Sequence, residues 1–345
     1  MRPTSSNAAR RRGFTLIELL VVISLLTILL AIAVPAFSGL LYSNERAMAD
    51  SKLKIAATMG RDAAVRAGRG SDGAVAFFFD AGGRVRAVPF VKAGEITDLD
   101  DSGNPVVRDV FIKVDVFEAI EMPRNWSVRG YAGSNTIDDQ WYGDYTYSSA
   151  DWSEGSWVFP ETGFFDTKDA DGGDRRQTFF IRYDAGSGTA SVPTARDALL
   201  LDPSPSRTLR TSGLFATYNI ERFVSHRAYV QQVLRLTSDA AKQTLLGDSS
   251  PDTVLARQVT QIALYDEQRL AGAMKTRTDR ATNSLYKAGD RPEFVAAPVS
   301  LITEVNRWIE SPDSATTTPG EQKPAQDARV YFVERYSGSL REMYP

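Results

Sequence analysis

The residue whose type and position most clearly imply chemistry is a single glutamate inside a long apolar segment. Residues 14–37 are almost entirely apolar, and Glu18 is the only ionisable group among them. A carboxylate in a bilayer is costly and usually has a functional partner. We therefore expect Glu18 to have a functional partner, rather than to be a chance acid in a plain anchor.

Two acidic segments have the composition of a calcium site. The first covers residues 98–104 and the second covers residues 166–174, which contain Asp166, Asp169, Asp171 and Asp174. Calcium prefers several carboxylate oxygens around a glycine-containing turn. Because neither segment has the spacing of an EF-hand loop, a calcium site and a solvated turn are both open for each. No other cofactor is expected.

An aromatic segment forms the third candidate site. Four of the five tryptophans lie between residues 126 and 157, together with several tyrosines. Such rings could stack on sugars or contact a protein partner, or they could pin a long insertion onto an underlying sheet. The residues of this candidate ligand or partner surface are Trp126, Trp141, Tyr145, Trp152 and Trp157.

The composition argues against several classes of enzyme. The chain has no cysteine and one histidine, His226, so a thiolate zinc site, a cysteine nucleophile and a serine–histidine–aspartate triad are not expected. We find neither a Gly-x-Ser-x-Gly elbow nor a Walker-type phosphate loop. The net charge of −3 at pH 7 does not favour a nucleic-acid partner. We therefore expect a structural protein and not an enzyme.

The apolar segment has the length of a membrane-spanning helix. At about 1.5 Å per residue, residues 14–37 would form a helix of about 36 Å, and a bilayer core is about 30 Å thick. Arg10, Arg11 and Arg12 precede the segment and should hold the leader on the cytoplasmic side. An ordinary secretory signal has a similar start, but it would leave Glu18 unexplained.

The stretch from Arg12 to Ile23, RGFTLIELLVVI, resembles the prepilin motif of type IV pilins and type II secretion pseudopilins. The resemblance covers the leader and the apolar segment alone. It implies that a membrane prepilin peptidase cuts between Gly13 and Phe14 and N-methylates the new terminus. Glu18 would then lie one helical turn from the Phe14 amine.

The resemblance also implies a mechanism of assembly. Glu18 of one subunit would neutralise the Phe14 amine of a neighbour, and bundled helices would form the core of a filament. In this family a proline at the position of Pro35 bends or locally melts the helix, because proline removes a backbone hydrogen bond. The alternative is that the helix ends at Pro35.

Helical character continues beyond the apolar segment. Leu41, Met48, Ile55 and Met59 have the spacing of one helical face, which we expect to pack on a sheet. A glycine-rich stretch at residues 68–73 then predicts the end of the helix.

The remaining sequence predicts mainly strands and turns. Three hairpins are expected, formed by residues 75–79 with 84–91, 179–183 with 189–192, and 330–336 with 339–343, and a further strand is expected at 106–117. Short helices are expected at residues 194–201 and 253–275, although 258–265 could equally be a strand. Residues 311–326 predict a flexible loop. The change from helix to strand near residues 61–80 is similar to that of the GspH/FimT-like minor pseudopilins.

These observations predict an α+β, pilin-like fold. A long N-terminal transmembrane helix is expected to pack on an antiparallel β-sheet head with large loop and helix insertions. The expected organisation is a leader at residues 1–13, a transmembrane and filament-core helix at 14–37, an amphipathic continuation at 38–70, and a periplasmic β-rich head at 71–345.

The function that the resemblance implies is that of a pseudopilin or minor pilin in a type II secretion pseudopilus or a type IV pilus. Its expected partners are the membrane, other pilin-type subunits and prepilin peptidase. It would be a single-pass inner-membrane protein that can enter an extracytoplasmic filament. The alternative is a membrane-anchored periplasmic protein that binds a polysaccharide or secreted cargo through its aromatic segment.

Overall fold

The structure is a computed structural model, and it describes residues 16–68, 70–79, 84–99, 104–114, 116–133, 155–158, 176–193, 196–201, 226–242, 245–246, 253–273, 305–306, 308–310 and 328–343. The chain forms two compact units, Met1–Met48 and Ala49–Pro345. Helix α1, Leu16–Ala67, supplies the described part of the first unit and the beginning of the second.

The second unit, which we call the head, is rich in strands. Among the described residues these are β1 Gly73–Phe79, β2 Val85–Leu99, β3 Pro105–Lys113, β4 Ile120–Glu121, β5 Trp126–Ala132, β6 Ser156–Val158, β7 Arg176–Tyr183, β8 Ala198–Leu201, β9 Thr253–Gln258, β10 Gln261–Asp266, β11 Ala328–Val333 and β12 Leu340–Glu342. Three further helices are α2 His226–Leu234, α3 Asp239–Lys242 and α4 Glu267–Ala273.

Six of these strands close into a barrel. They are hydrogen-bonded in the order β1-β7-β9-β8-β3-β2, β2 pairs back to β1, and β4 is added on β2. The β3–β8 and β7–β9 pairs are parallel, and the other pairs of this sheet are antiparallel. The expectation of a simple antiparallel sheet is therefore wrong. Strands β8 and β9 lie between β3 and β7 and join what would otherwise be two free edges.

The barrel interior is apolar. Phe78 of β1, Phe90 of β2, Phe111 of β3 and Phe180 of β7 are all at most 1% exposed, and small residues of β1, β8 and β9 fill the space between them. Alternate residues of the same strands point outward. On that side Tyr229, Val230 and Val233 of α2 cover part of the barrel with Val110, Leu199 and Leu255, among others.

A second sheet has the order β12-β11-β10-β5-β6, and all of its pairs are antiparallel. One group of its side chains packs with Leu270 of α4 and with Val305 and Ile309. The strands supply Trp157, Tyr265 and Val330, among others, to this cluster. The head therefore contains two β-structures with separate apolar clusters.

The part of α1 that belongs to the head is buried through small side chains. Its buried residues are Ala49, Leu53, Ala56, Ala57, Met59, Ala63 and Ala64. At Gly60 a Cβ would lie 2.9 Å from the Cβ of Val75 and 3.0 Å from the Tyr183 ring, so the helix lies very close to β1 and β7. The expected packing of the second half of α1 on a sheet is confirmed.

The apolar stripe predicted for that packing is wrong. Leu41, Met48 and Ile55 are 63%, 46% and 54% exposed, and Met59 alone of the four predicted residues is buried. The physical reason is that alanine and glycine allow a helix backbone to lie closer to a sheet than long side chains do.

The predicted hairpins are confirmed. Strands β1 and β2 pair antiparallel, as do β11 and β12. In the hairpin predicted for 179–183 with 189–192, the turn after β7 is closed by a hydrogen bond of 2.8 Å from the amide of Asp184 to the carbonyl of Thr189. The predicted strand at 106–117 corresponds to β3, and α1 ends at Ala67, before Gly68 and Gly70 at positive φ.

One predicted helix is wrong in the described residues and a second is wrong in part. Residues 198–201 of the first form strand β8. Residues 253–258 and 261–266 of the second form β9 and β10, in agreement with the strand alternative for 258–265, and the helix prediction is confirmed only at Glu267–Ala273, which form α4. Both faces of β8 and β9 are buried, so neither sequence shows the alternation of apolar and polar residues that identifies a half-buried strand: β8 is apolar throughout, and β9 includes the buried polar residues Arg257 and Gln258. Residues 311–326 lie outside the described residues.

Candidate processing and assembly site

The first candidate site lies at the start of α1. Within the described residues the helix begins at Leu16, and Glu18 lies exposed in its first turn. An acidic group there is favoured by the positive end of the helix dipole. Gly13 and Phe14, the residues of the predicted cleavage junction, lie outside the described residues.

The helix around Glu18 exposes apolar side chains on every side. Leu16 is 83% exposed and Ile17 70%, and residues on all helical faces up to Phe37 are at least half exposed. In the described part of the chain, α1 is the one helix long and apolar enough to cross a membrane by length and composition. A surface of this kind is stable only in a bilayer or against other apolar helices.

Two hydroxyl residues in this apolar stretch are satisfied within the helix. Ser24 Oγ donates to the carbonyl of Leu20 at 2.9 Å, and Thr27 Oγ1 donates to the carbonyl of Ser24 at 2.8 Å. Because their hydrogen bonds are internal, neither hydroxyl needs water, and both are compatible with an apolar surrounding.

Pro35 lies within α1, which continues to Ala67. The helix therefore does not end at Pro35, in contrast to one of the two alternatives drawn from the sequence. Proline has no backbone N–H, so one helical hydrogen bond is absent at this point.

Comparison with known protein families identifies this N-terminal segment. A family model described as the prokaryotic N-terminal methylation motif matches residues 8–34, which include Gly13, Phe14 and Glu18. The chain carries the prepilin-cleavage signature of type IV pilins and pseudopilins. The motif supports a pilin-like substrate of prepilin peptidase and implies assembly with other pilin-type subunits, and together with the apolar helix α1 it is consistent with an N-terminal membrane anchor. No curated protein and no solved structure matches the chain.

The predicted calcium sites receive no support from the described residues. Asp166, Asp169, Asp171 and Asp174 lie outside them, and no cluster of three or more potential metal ligands occurs within them. In the first acidic segment, Asp98 is buried and its carboxylate lies 2.9 Å from the guanidinium of Arg108. Asp98 is therefore engaged in an internal ion pair.

Two residues of the predicted aromatic surface are core residues. Trp126 and Trp157 are each 4% exposed. Trp157 Nε1 donates to Glu310 Oε1 at 3.0 Å, and its ring contacts that of Tyr131 edge-on at 5.2 Å. These two indoles offer no face to a ligand and hold the second sheet together. Trp141, Tyr145 and Trp152 lie outside the described residues.

The structure also brings together a charged cluster that sequence reasoning missed. Asp109 of β3 lies 2.6 Å from Arg182 of β7 and 2.7 Å from Lys92 of β2. Arg182 also contacts Asp72, which follows α1, at 2.5 Å. We call Asp72, Lys92, Asp109 and Arg182 the charged cluster. The sequence feature that could have indicated this cluster is the presence of charged residues within otherwise apolar strands.

The opposite charges of the charged cluster stabilise one another in their ionised forms. Burial alone would raise the pKa of Asp109, but the hydrogen bond from Lys92 and the charges of Arg182 and Lys92 outweigh burial and hold this pKa below its usual range. Burial alone would lower the pKa of Lys92, but its hydrogen bonds to Asp109 and Glu95 outweigh burial and raise this pKa. Lys92 and Asp109 are therefore both charged at neutral pH, which favours a structural role.

Proposed function

We propose that the chain is a pseudopilin or minor pilin, a structural subunit of a type II secretion pseudopilus or a type IV pilus, and that it is not an enzyme. One observation carries the proposal. The methylation motif at residues 8–34 continues into a helix that exposes apolar side chains all round and has Glu18 in its first turn.

Processing would create the charge that Glu18 needs. Cleavage between Gly13 and Phe14 leaves a protonated amine at the start of an apolar helix, and an unpaired ion in an apolar bundle costs several kcal/mol. The carboxylate of Glu18 on a neighbouring subunit would neutralise this amine. The exposed apolar side chains of residues 16–37 would then pack against those of other subunits and form the filament core.

The orientation follows from the charges that flank the helix. Arg10, Arg11 and Arg12 favour a cytoplasmic leader, which leaves the head on the periplasmic side of the inner membrane. A structural role without a cofactor agrees with the composition, which has no cysteine and one histidine.

Mass spectrometry of the protein from its native membrane tests the processing step. We expect a mature chain that begins with N-methylated Phe14. An intact leader, or cleavage after the apolar segment, would contradict the proposal.

A substitution at Glu18 tests assembly. Glu18→Val should leave membrane insertion intact and abolish incorporation into filaments, because the Phe14 amine would lose its partner. Thr27→Val is the matched control, since the Thr27 hydroxyl bonds only within its own helix in the structure and its loss should not affect assembly. Normal filament incorporation of Glu18→Val would refute the role of the carboxylate.

A further inference from the structure

The C-terminal hairpin β11–β12 contacts α1 at the beginning of the head. Tyr331 Oη donates a hydrogen bond of 2.5 Å to Asp50 Oδ1, although the two residues are 281 positions apart. Lys54, one helical turn further, donates to Asp50 Oδ2 at 2.9 Å, and its ammonium lies 5.8 Å from the centre of the Tyr331 ring. One tyrosine therefore engages two consecutive turns of the helix.

This contact lies where burial of α1 starts. Among the residues of α1 whose burial is described, Ala49 is the first buried one, and Asp50 follows it directly. Tyr331 is 0% exposed and the Asp50 side chain 18% exposed. Because the acceptor is a carboxylate in a partly desolvated position, the hydrogen bond is stronger than one between neutral groups.

The turn of the same hairpin lies beside the side chain of an α1 residue. A Cβ at Gly338, where φ is +65°, would be 3.3 Å from Cδ of Arg61. The amide of Ala190 donates to the carbonyl of Arg335 at 2.8 Å, which fixes this turn against the turn that follows β7. Arg61 lies 11 residues after Asp50, or about 16 Å along the helix axis.

We propose that the β11–β12 hairpin is a clasp that holds residues 49–61 of α1 to the head. The hydrogen bond from Tyr331 to Asp50 holds the start of this stretch, and the turn at Gly338 lies beside the Arg61 side chain about 16 Å further along the helix. The inference does not depend on the proposed function, because it concerns contacts within the head alone.

The clasp has a consequence for the order in which the head becomes rigid. The residues that close it belong to β11 and β12, which follow the other described strands along the chain, and the stretch that it holds precedes all the described strands. The hydrogen bond to Asp50 in the first turn of this stretch therefore forms only when the β11–β12 hairpin is in place. Opening of the clasp would be a local event that leaves the barrel strands paired.

Hydrogen exchange of the full chain in detergent micelles tests the clasp. In Tyr331→Phe, peptides that cover residues 49–57 should exchange about tenfold faster, while peptides from β2 and β3 keep their wild-type rates. Tyr336→Phe is the matched control, because Tyr336 lies in the turn of the same hairpin and is 83% exposed. Tyr336→Phe should leave the hydrogen-exchange rates of all peptides unchanged.

A second variant keeps the test decisive if Tyr331→Phe does not fold. Asp50→Asn changes the partly exposed acceptor and should also accelerate exchange in residues 49–57 alone. Wild-type rates there in both variants would overturn the proposal. Equal acceleration in β2 and β3 would overturn it too, since that result would show general destabilisation rather than a local clasp.

Discussion

Arg182 Nη1 lies 2.6 Å from Asp109 Oδ2, and this ion pair joins β7 to β3 beside the apolar interior of the barrel. The guanidinium carbon of Arg182 is 5.6 Å from the centre of the Phe111 ring, which belongs to that interior. Arg182 also binds Asp72, which follows α1. The pair thus connects the barrel to the chain segment that leaves the helix.

Replacement of Arg182 by methionine should destabilise the head. The substitution keeps much of the side-chain volume but removes a partner from Asp109, whose side chain is 10% exposed. Removing one member of a buried ion pair costs about 3 kcal/mol. Urea unfolding of the full chain in detergent, followed by tryptophan fluorescence, measures the loss.

The matched control for Arg182→Met is Arg84→Met. Arg84 contacts Glu121 at 3.2 Å, but the two side chains are 42% and 37% exposed. An exposed pair of this kind contributes less than about 1 kcal/mol. Equal losses in the two variants would show that the charged cluster has no special structural role.

The charged cluster also predicts an acid dependence of stability. The pKa of Asp109 is held below its usual range in the folded chain, so the unfolded chain binds a proton more readily. The free energy of unfolding should therefore fall as the pH decreases from about 5 towards 2. Asp109→Asn removes this titration and should give a shallower decrease, measured by urea unfolding at several pH values. Parallel curves for the two proteins would contradict the assignment.

The hairpins and the end of α1 were predictable because their signals are local. Gly188 and Gly338 each occupy a positive φ that other residues rarely adopt, and each lies in the turn that follows a strand recognisable from its own sequence. The N-terminal segment was predictable for the same reason, since its charge, length and single acid lie within a few helical turns. The cleavage junction itself lies outside the described residues.

The barrel was not predictable, because its closure depends on pairs that are distant in sequence. Val110 pairs with Leu199, and Thr178 pairs with Ala256, both in parallel. Strand β9 is buried on both faces, so its sequence lacks the period-two alternation that would distinguish a strand from a helix. The charged cluster was hidden for a related reason, as Arg182 and Asp109 are 73 positions apart.

The turn of the C-terminal hairpin should not tolerate a side chain at Gly338. A Cβ there would lie 2.6 Å from the backbone oxygen of Gly188, and φ is +65°. The left-handed conformation and the clash with rigid backbone together should cost Gly338→Ala about 3 kcal/mol. Thermal or urea unfolding of the full chain in detergent measures this loss.

Gly68→Ala separates the two contributions at Gly338. Gly68 has φ +78°, but a Cβ there would meet nothing within 4 Å. Gly68→Ala should therefore cost only the conformational part, about 1 kcal/mol. If Gly338→Ala costs no more than Gly68→Ala, the close approach of the two turns is not important for stability.

The role of Trp157 distinguishes a packed aromatic segment from a ligand surface. Its indole is 4% exposed, packs against Tyr131 and donates to Glu310, so Trp157→Ala should cost about 3–5 kcal/mol in the free energy of unfolding. Tyr336→Ala is the control, because Tyr336 is 83% exposed and its loss should change stability by about 0.5 kcal/mol or less. A Trp157→Ala protein of wild-type stability that had lost binding on a glycan array would reverse the conclusion and make Trp157 a ligand contact. The low exposure of the indole, its edge-on contact with Tyr131 and its hydrogen bond to Glu310 argue for the first result, because the ring would lose all of this packing if it turned towards a sugar.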